Sequence, residues 1–175
     1  MIKIIYLIFL FLSFNFKCFA QSDYPFYEQI AFDFYKDEIL KNLPVKKKIT
    51  VYKSLNYNAA EEIHYVPSNG LKTKVPQHRD SIKKIDFSRY WKSINANRFE
   101  LNLTNIDKKQ FKIKKSNNGS FPKVFVHYPK IYKDRVFIIV HQKYENSGTY
   151  YTIEFDENGK IIDWCKSIYE TVTIY

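Results

Sequence analysis

The stretch Arg135–Ile168, RVFIIVHQKYENSGTYYTIEFDENGKIIDWCKSI, decides the fold of this chain. Arg135 to Tyr144, Thr149 to Phe155 and Lys160 to Ile168 are rich in β-branched and aromatic residues, and Asn146-Ser147-Gly148 and Glu157-Asn158-Gly159 separate them. A three-residue connection ending in glycine is the pattern of a type I turn closed by a residue of positive φ. With Val124 to Tyr128, these runs predict an antiparallel meander of four strands. The turns set a register that pairs Glu145 with Thr149 and Asp156 with Lys160, so Ile153 falls between His141 and Asp163. The loop Pro129 to Asp134 pairs Tyr128 with Arg135. In that register Ile139, His141, Ile153, Phe155, Ile161 and Asp163 share one sheet face, and Val136, Ile138, Val140, Tyr150, Trp164 and Ile168 share the other. A one-residue slip exchanges the faces.

Upstream, Asp23 to Leu43 reads as a helix with Phe26, Ile30, Phe34, Ile39 and Leu43 at helical spacing, Asp23 as its cap and Pro44 as its stop. Lys48 to Leu55 reads as a strand, as does Ile63 to Val66, and Pro67 to Arg79 as a long loop. Asp80 to Ile94 predicts a short helix with Phe87, Tyr90, Trp91 and Ile94 on one face. Alternation at Phe99, Leu101 and Leu103, and again at Phe111 and Ile113, predicts two half-buried strands. The expected architecture is a single α+β domain, residues 21–175, whose C-terminal antiparallel meander packs against the N-terminal helix and the short middle helix. A helix on a curved sheet enclosing a cone-shaped pocket is one version of it.

The first twenty residues have the layout of a secretory signal. Lys3 gives a positive start, Ile4 to Leu12 is an unbroken apolar run of nine residues, and Ala20 precedes Gln21. Asn15 and Lys17 interrupt the run well short of the roughly 20 residues a membrane span needs. Bulky or charged Asn15-Phe16-Lys17 before Cys18 argues against lipid attachment there. The mature chain is therefore expected to be periplasmic or secreted, with no transmembrane segment left after cleavage. Cys165 is its lone cysteine, so packing rather than a disulfide must hold the fold.

Net charge is +10, from 28 basic and 18 acidic residues, and the excess lies between Lys46 and Lys115. Lys112, Lys114 and Lys115 are the candidate anion-binding residues, because alternation puts Lys112 and Lys114 on one side of a strand while Phe111 and Ile113 face the core. Lys46 to Lys48, Lys72, Lys74, Lys83, Lys84, Lys108 and Lys109 extend the same basic set. The competing explanation is compositional, since a chain rich in Lys, Asn, Ile, Tyr and Phe is what AT-rich codon usage produces.

Catalytic and metal motifs are sparse. Glu61 and His64 have the Glu-x-x-His spacing of carboxylate-bridged metal sites, but the motif occurs once where such sites need it twice. The expected register puts His127 and His141 on opposite faces and holds Cys165, His141 and Asp163 strands apart. Cys165 is thus read as a buried structural thiol. No phosphate loop, nucleophile elbow, zinc-protease motif or paired CxxC is present, and no cofactor is implied. Asn102-Leu103-Thr104 and Asn118-Gly119-Ser120 match the glycosylation pattern, which carries meaning only in a eukaryotic secretory route.

Val124 to Tyr128, Val136 to Val140, Tyr144 to Tyr151 around Gly148, and Asn158-Gly159-Lys160 with Trp164 resemble small exported proteins of uncharacterised function from AT-rich Gram-negative bacteria. The resemblance covers about the last fifty residues, rests on hairpin grammar and brings no functional residue with it. The leading functional expectation is a non-catalytic exported binding or interaction module, its partner an anionic envelope component or another protein. The alternatives are an envelope enzyme or small-ligand protein with a helix–sheet pocket, and an inhibitor or immunity protein. A deep pocket with convergent polar groups favours the ligand reading.

The leader makes one direct prediction. The intact mass of the exported protein corresponds to cleavage between Ala20 and Gln21. A mature chain that keeps residues 1–20, or that starts at a lipid-bearing Cys18, contradicts it.

Overall fold

A computed structural model describes residues 25–43, 46–55, 66–67, 69–73, 75, 100–115 and 119–170. Helix α1 (Tyr27–Phe34) continues through a π-helical turn, Tyr35–Ile39, into a 3-10 turn, Leu40–Asn42. Seven strands follow: β1 (Ile49–Tyr52), β2 (Phe111–Lys114), β3 (Lys123–Val126), β4 (Lys130–Tyr132), β5 (Arg135–Lys143), β6 (Ser147–Phe155) and β7 (Ile161–Glu170). They form one mixed sheet in the order β2-β1-β3-β5-β6-β7, with β4 also pairing β5. The fold is α+β, but the sheet is larger than a meander, because β1 pairs in parallel with both β2 and β3. The expected strands at 63–66 and the helix at 80–94 lie outside the described residues, apart from Val66. Residues 101–103 are not a strand. A single bridge joins Ser54 to Glu100, and Leu101 and Leu103 reach the core from an irregular segment.

β5 is the centre of the sheet, with seven consecutive residues, Val136 to Gln142, buried. Val136, Ile138 and Val140 face the helix with Val124, Val126, Ile153 and Phe155. Phe137 packs on the other side with Val66, Leu71, Val75 and Cys165. A strand covered on both faces reads as a continuous apolar run, which is how Val136-Phe137-Ile138-Ile139-Val140 reads. Each such side chain contributes roughly 1.5–3 kcal/mol on burial.

The helix presents a different stripe from the one its spacing suggests. Tyr27, Glu28, Ala31, Phe32, Tyr35 and Ile39 are buried, whereas Phe26, Ile30 and Phe34 pack only at the flank and Leu43 is 47% exposed. The tyrosines decide this. The Tyr27 hydroxyl donates to the Glu157 carbonyl at 2.7 Å and the Tyr35 hydroxyl to Gln142 Oε1 at 2.8 Å, so both rings can be buried with their polar ends satisfied. The expected cap, Asp23, lies outside the described residues, and the helix follows Phe26, which makes no side-chain cap bond.

The register departs from expectation at the β5–β6 connection and in the segment leading into β5, and within β7 only beyond its turn. The β5–β6 connection closes at Tyr144–Ser147, where Tyr144 N–H donates to the Ser147 carbonyl at 2.8 Å, and Lys143 pairs Gly148. His141 therefore pairs Tyr150, and Ile153 pairs Ile138. Gly148 does not supply a positive φ. It supplies room, because a Cβ there would lie 2.5 Å from the Tyr169 ring. Gly159 does behave as the turn glycine, with φ +82°, and Asp156 N–H donates to the Lys160 carbonyl. A bulge at Glu154/Phe155 then shifts the pairing, so Ile153 meets Trp164 instead of Asp163. Ile153 and Phe155 consequently face the helix, and Tyr150 the opposite side with Ile139 and His141.

The third hairpin turns at Lys133 and Asp134, with Lys133 at φ 56° and Tyr132 opposite Arg135. Phe125 then pairs His141, and His127 N–H donates to the Ile139 carbonyl. His127 and His141 share a face after all, with ring centroids 5.9 Å apart. The His141 ring also meets Tyr150 at 4.6 Å, and its Nε2 bonds the Tyr169 hydroxyl at 2.8 Å.

Two stability predictions follow from this face. Gly148→Ala displaces the Tyr169 ring and destabilises by about 1–3 kcal/mol. In a Tyr169→Ala background the same change costs far less; equal costs in thermal or denaturant unfolding contradict the packing argument. Burial, then the nearby His141 and Lys130, pushes His127 down to about 3. The unfolded chain binds a proton near pH 6.5 that the folded chain refuses, so this group's contribution is lost as pH falls from about 6.5 towards 3. The expected slope is about 1.4 kcal/mol per pH unit. His127→Gln flattens the pH dependence of denaturant unfolding by that amount between pH 6 and 4; an unchanged slope refutes the assignment.

Candidate functional site

The helix end and the sheet do not close on each other. The π turn and the 3-10 turn carry Leu40 and Leu43 past the last packed turn, and the chain then returns through Lys46 and Lys47 into β1 at Ile49. Phe121 and Pro122 enter from the segment before β3, and Tyr144 and Glu145 from the β5–β6 connection. Between these four segments lies a cleft of about 500 Å³. Leu40, Ile49, Pro122 and Tyr151 make its buried apolar wall. Leu43, Phe121 and Tyr144 make its rim, exposed at 47%, 36% and 40%. Lys46, Lys47 and Glu145, all exposed, stand at the mouth. The volume is within the 300–1,000 Å³ of ordinary ligand sites.

A relay of hydrogen bonds gives the cleft a polarity. Tyr35, fully buried, donates its hydroxyl to Gln142 Oε1 at 2.8 Å, and Gln142 Nε2 donates to the Tyr144 hydroxyl oxygen at 2.7 Å. Gln142 stands on the helix side of β5, opposite Val124 and Thr149, so strand alternation aims it at the cleft. Each donor in the chain points outward, which leaves the Tyr144 O–H as the outermost donor of the relay, at the rim of the cleft. Burial, reinforced by Tyr151 and Tyr144, raises the Tyr35 pKa well above 10, and burial likewise raises that of Tyr151. These phenols stay protonated, so they are hydrogen-bond donors and not bases. Among the described residues no His, Cys or Asp lines the cleft; its lining is apolar walls, a tyrosine hydroxyl and an amide, two cations and one acid.

Of the basic set singled out from sequence, Lys46 and Lys47 stand at the cleft mouth, and the candidate anion-binding lysines are elsewhere. Lys112 and Lys114 lie on edge strand β2 with Phe111 buried beside them, and Lys115 is exposed just past it. Ile113 does not face the core as expected but is 44% exposed, because β2 has no neighbour on its outer side among the described residues. Parallel pairing divides the basic set. Lys46 to Lys48 and Lys108–Lys109 precede the paired ends Ile49 and Phe111, whereas Lys114 sits opposite Tyr52 at the far end. Ala20, Gln21, Glu61, His64, His78, Lys74, Lys83 and Lys84 lie outside the described residues. His127 and His141 are brought together but buried on the sheet face opposite the cleft, and no group of three or more His, Cys, Asp and Glu suited to a metal occurs among the described residues. Cys165 is buried, its thiol donating to the Pro67 carbonyl at 3.3 Å, and burial raises its pKa.

A second, polar hollow of about 330 Å³ lies between the helix and residues 102–106. Its one cation is shared between its two acids, since Lys36 bridges Asp33 and Asp37 at 3.3 and 3.2 Å, and Gln29 clamps the Asn102 backbone. A helix–sheet pocket is among the alternatives read from sequence, but its lining is not, because the lining comes from four segments far apart in the chain. The available signal was Phe121, a large ring between predicted strands, and Tyr144, the last residue of one, on a chain that also carries Lys46-Lys47-Lys48 after a helix stop. In comparisons with family models, curated proteins and solved structures, nothing matches this chain.

Proposed function

We propose that the protein is a non-catalytic binding protein whose cleft holds a small amphipathic anion, its apolar part against Leu40, Ile49 and Tyr151 and its charged end beside Tyr144, Lys46 and Lys47. One observation carries the reading: three of the six large apolar side chains exposed among the described residues, Leu43, Phe121 and Tyr144, ring this one opening. Apolar groups concentrated at a concave site, with a few placed polar groups, are the composition of a ligand pocket. The polarity of the relay selects an acceptor at the charged end, and the lysines select negative charge. This is the helix–sheet pocket anticipated as an alternative, and it sets aside the β2 lysines as the principal site. With the leader expected on residues 1–20, the ligand would be met outside the cytoplasm.

Titration with dodecanoate, followed by calorimetry, tests the reading. One saturable site is expected, with dodecanol bound more weakly. Tyr144→Phe removes the directed donor and weakens dodecanoate about tenfold, in keeping with ~1.5 kcal/mol for a hydrogen bond to a charged acceptor. No saturable binding of either compound, or equal affinity of the wild type and Tyr144→Phe for dodecanoate, overturns it.

A further inference from the structure

We infer that the rim of the cleft is a docking surface for a membrane face containing anionic lipid, so that the cleft exchanges its occupant with a bilayer and not with bulk water. What is exchanged rests on the reading of the cleft given above; the docking rests on the rim itself.

The rim combines two kinds of side chain that are rarely placed together without a shared partner. Leu43, Phe121 and Tyr144 expose apolar surface, and exposed Lys46 and Lys47 line the same opening. Exposed Lys41 and Lys48 adjoin them in the chain, and the Lys123 ammonium lies 4.8 Å from the centre of the Phe121 ring. Against these cations the cleft lining offers one acid, Glu145. Aromatic rings and leucine partition into the headgroup–acyl boundary, while lysine stems lie along apolar surface and keep their charge at the lipid phosphates. The Lys123–Phe121 contact is the same arrangement in miniature, a ring with a cation over its face.

Charge complementarity separates this partner from the others. A second copy docked through the same patch in a two-fold dimer would set Lys46 and Lys47 against themselves. A soluble polyanion would use the lysines and leave Leu43, Phe121 and Tyr144 with nothing to bury them. An anionic bilayer satisfies both sets at once. Among the described residues no helix is long and apolar enough to cross a membrane, so the attachment inferred is peripheral.

Flotation of the full chain with phosphatidylcholine vesicles, with and without phosphatidylglycerol, tests the inference. The apolar run at 4–12 is common to wild type and variants, so the difference between them is the quantity read. Each lysine near an anionic surface is worth roughly fivefold in partitioning. Lys41→Glu with Lys48→Glu, neither lining the cleft, should therefore lower binding to the anionic vesicles at least tenfold, on the order of the loss of two such contacts. Dodecanoate affinity in solution should stay unchanged. Phe121→Ser should lower the part of binding that persists at high salt, because it removes apolar contact and not charge. Vesicle binding indifferent to phosphatidylglycerol, or equal for wild type and the double variant, overturns docking while leaving the cleft reading intact. Loss of dodecanoate binding with the vesicle pattern preserved sinks the cleft reading and leaves docking standing. A dimer in sedimentation that Phe121→Ser dissociates, with no vesicle binding, assigns the rim to a second copy and overturns the inference.

Discussion

Everything in this molecule hangs on β5 being buried from both sides. Its backbone bonds run to β3 and β4 along one edge and to β6 along the other, and neither face of Val136 to Gln142 is open to water. Such a strand has no solvent face to absorb an error, so its neighbours must deliver matched side chains to two cores at once. The helix core and the Phe137–Cys165 cluster are the two results. The cleft is a third, because Gln142 is the last helix-facing residue of β5 and lies where the helix has already ended.

The run of Val and Ile in β5 made the strand visible in the sequence, and Gly159 made one turn visible with the conformation expected of it. Its neighbour was misread for a physical reason. Glycine has two uses, positive φ and absence of a Cβ, and the sequence does not say which one is at work. Gly148 serves the second, under the Tyr169 ring, so the turn closes earlier, at Tyr144–Ser147, and the pairing register of β6 slips by three. A shift by an odd number turned β6 over relative to β5, and the bulge turned most of β7 back, so Trp164 and Ile168 share the face of Val136, and Asp163 that of His141, as the sequence implied.

The helix shows the limit of apolar periodicity in another form. Tyr27 and Tyr35 are counted as half-polar by composition, yet each is fully buried because a long-range acceptor meets its hydroxyl. Those acceptors, a carbonyl in the β6–β7 turn and an amide on β5, are more than a hundred residues away in the chain. Local pattern has no access to them. The lining of the cleft was invisible on the same account: Leu40, Phe121, Gln142 and Tyr144 become neighbours only after the sheet is assembled.

The parallel pairing of β1 has a consequence for how the chain acquires its shape. β1 cannot be made by a hairpin, since both partners, β2 and β3, come from far downstream, and the helix before it rests on β3 and β5. The adjacent strands β5, β6 and β7 close through short local connections and can form early, whereas the helix and β1 wait for that platform. A nascent chain of this design has its first third without a core until its last third has been synthesised. The order of synthesis is thus the reverse of the order of consolidation, and the helix and β1 gain their packing partners only when translation is nearly complete.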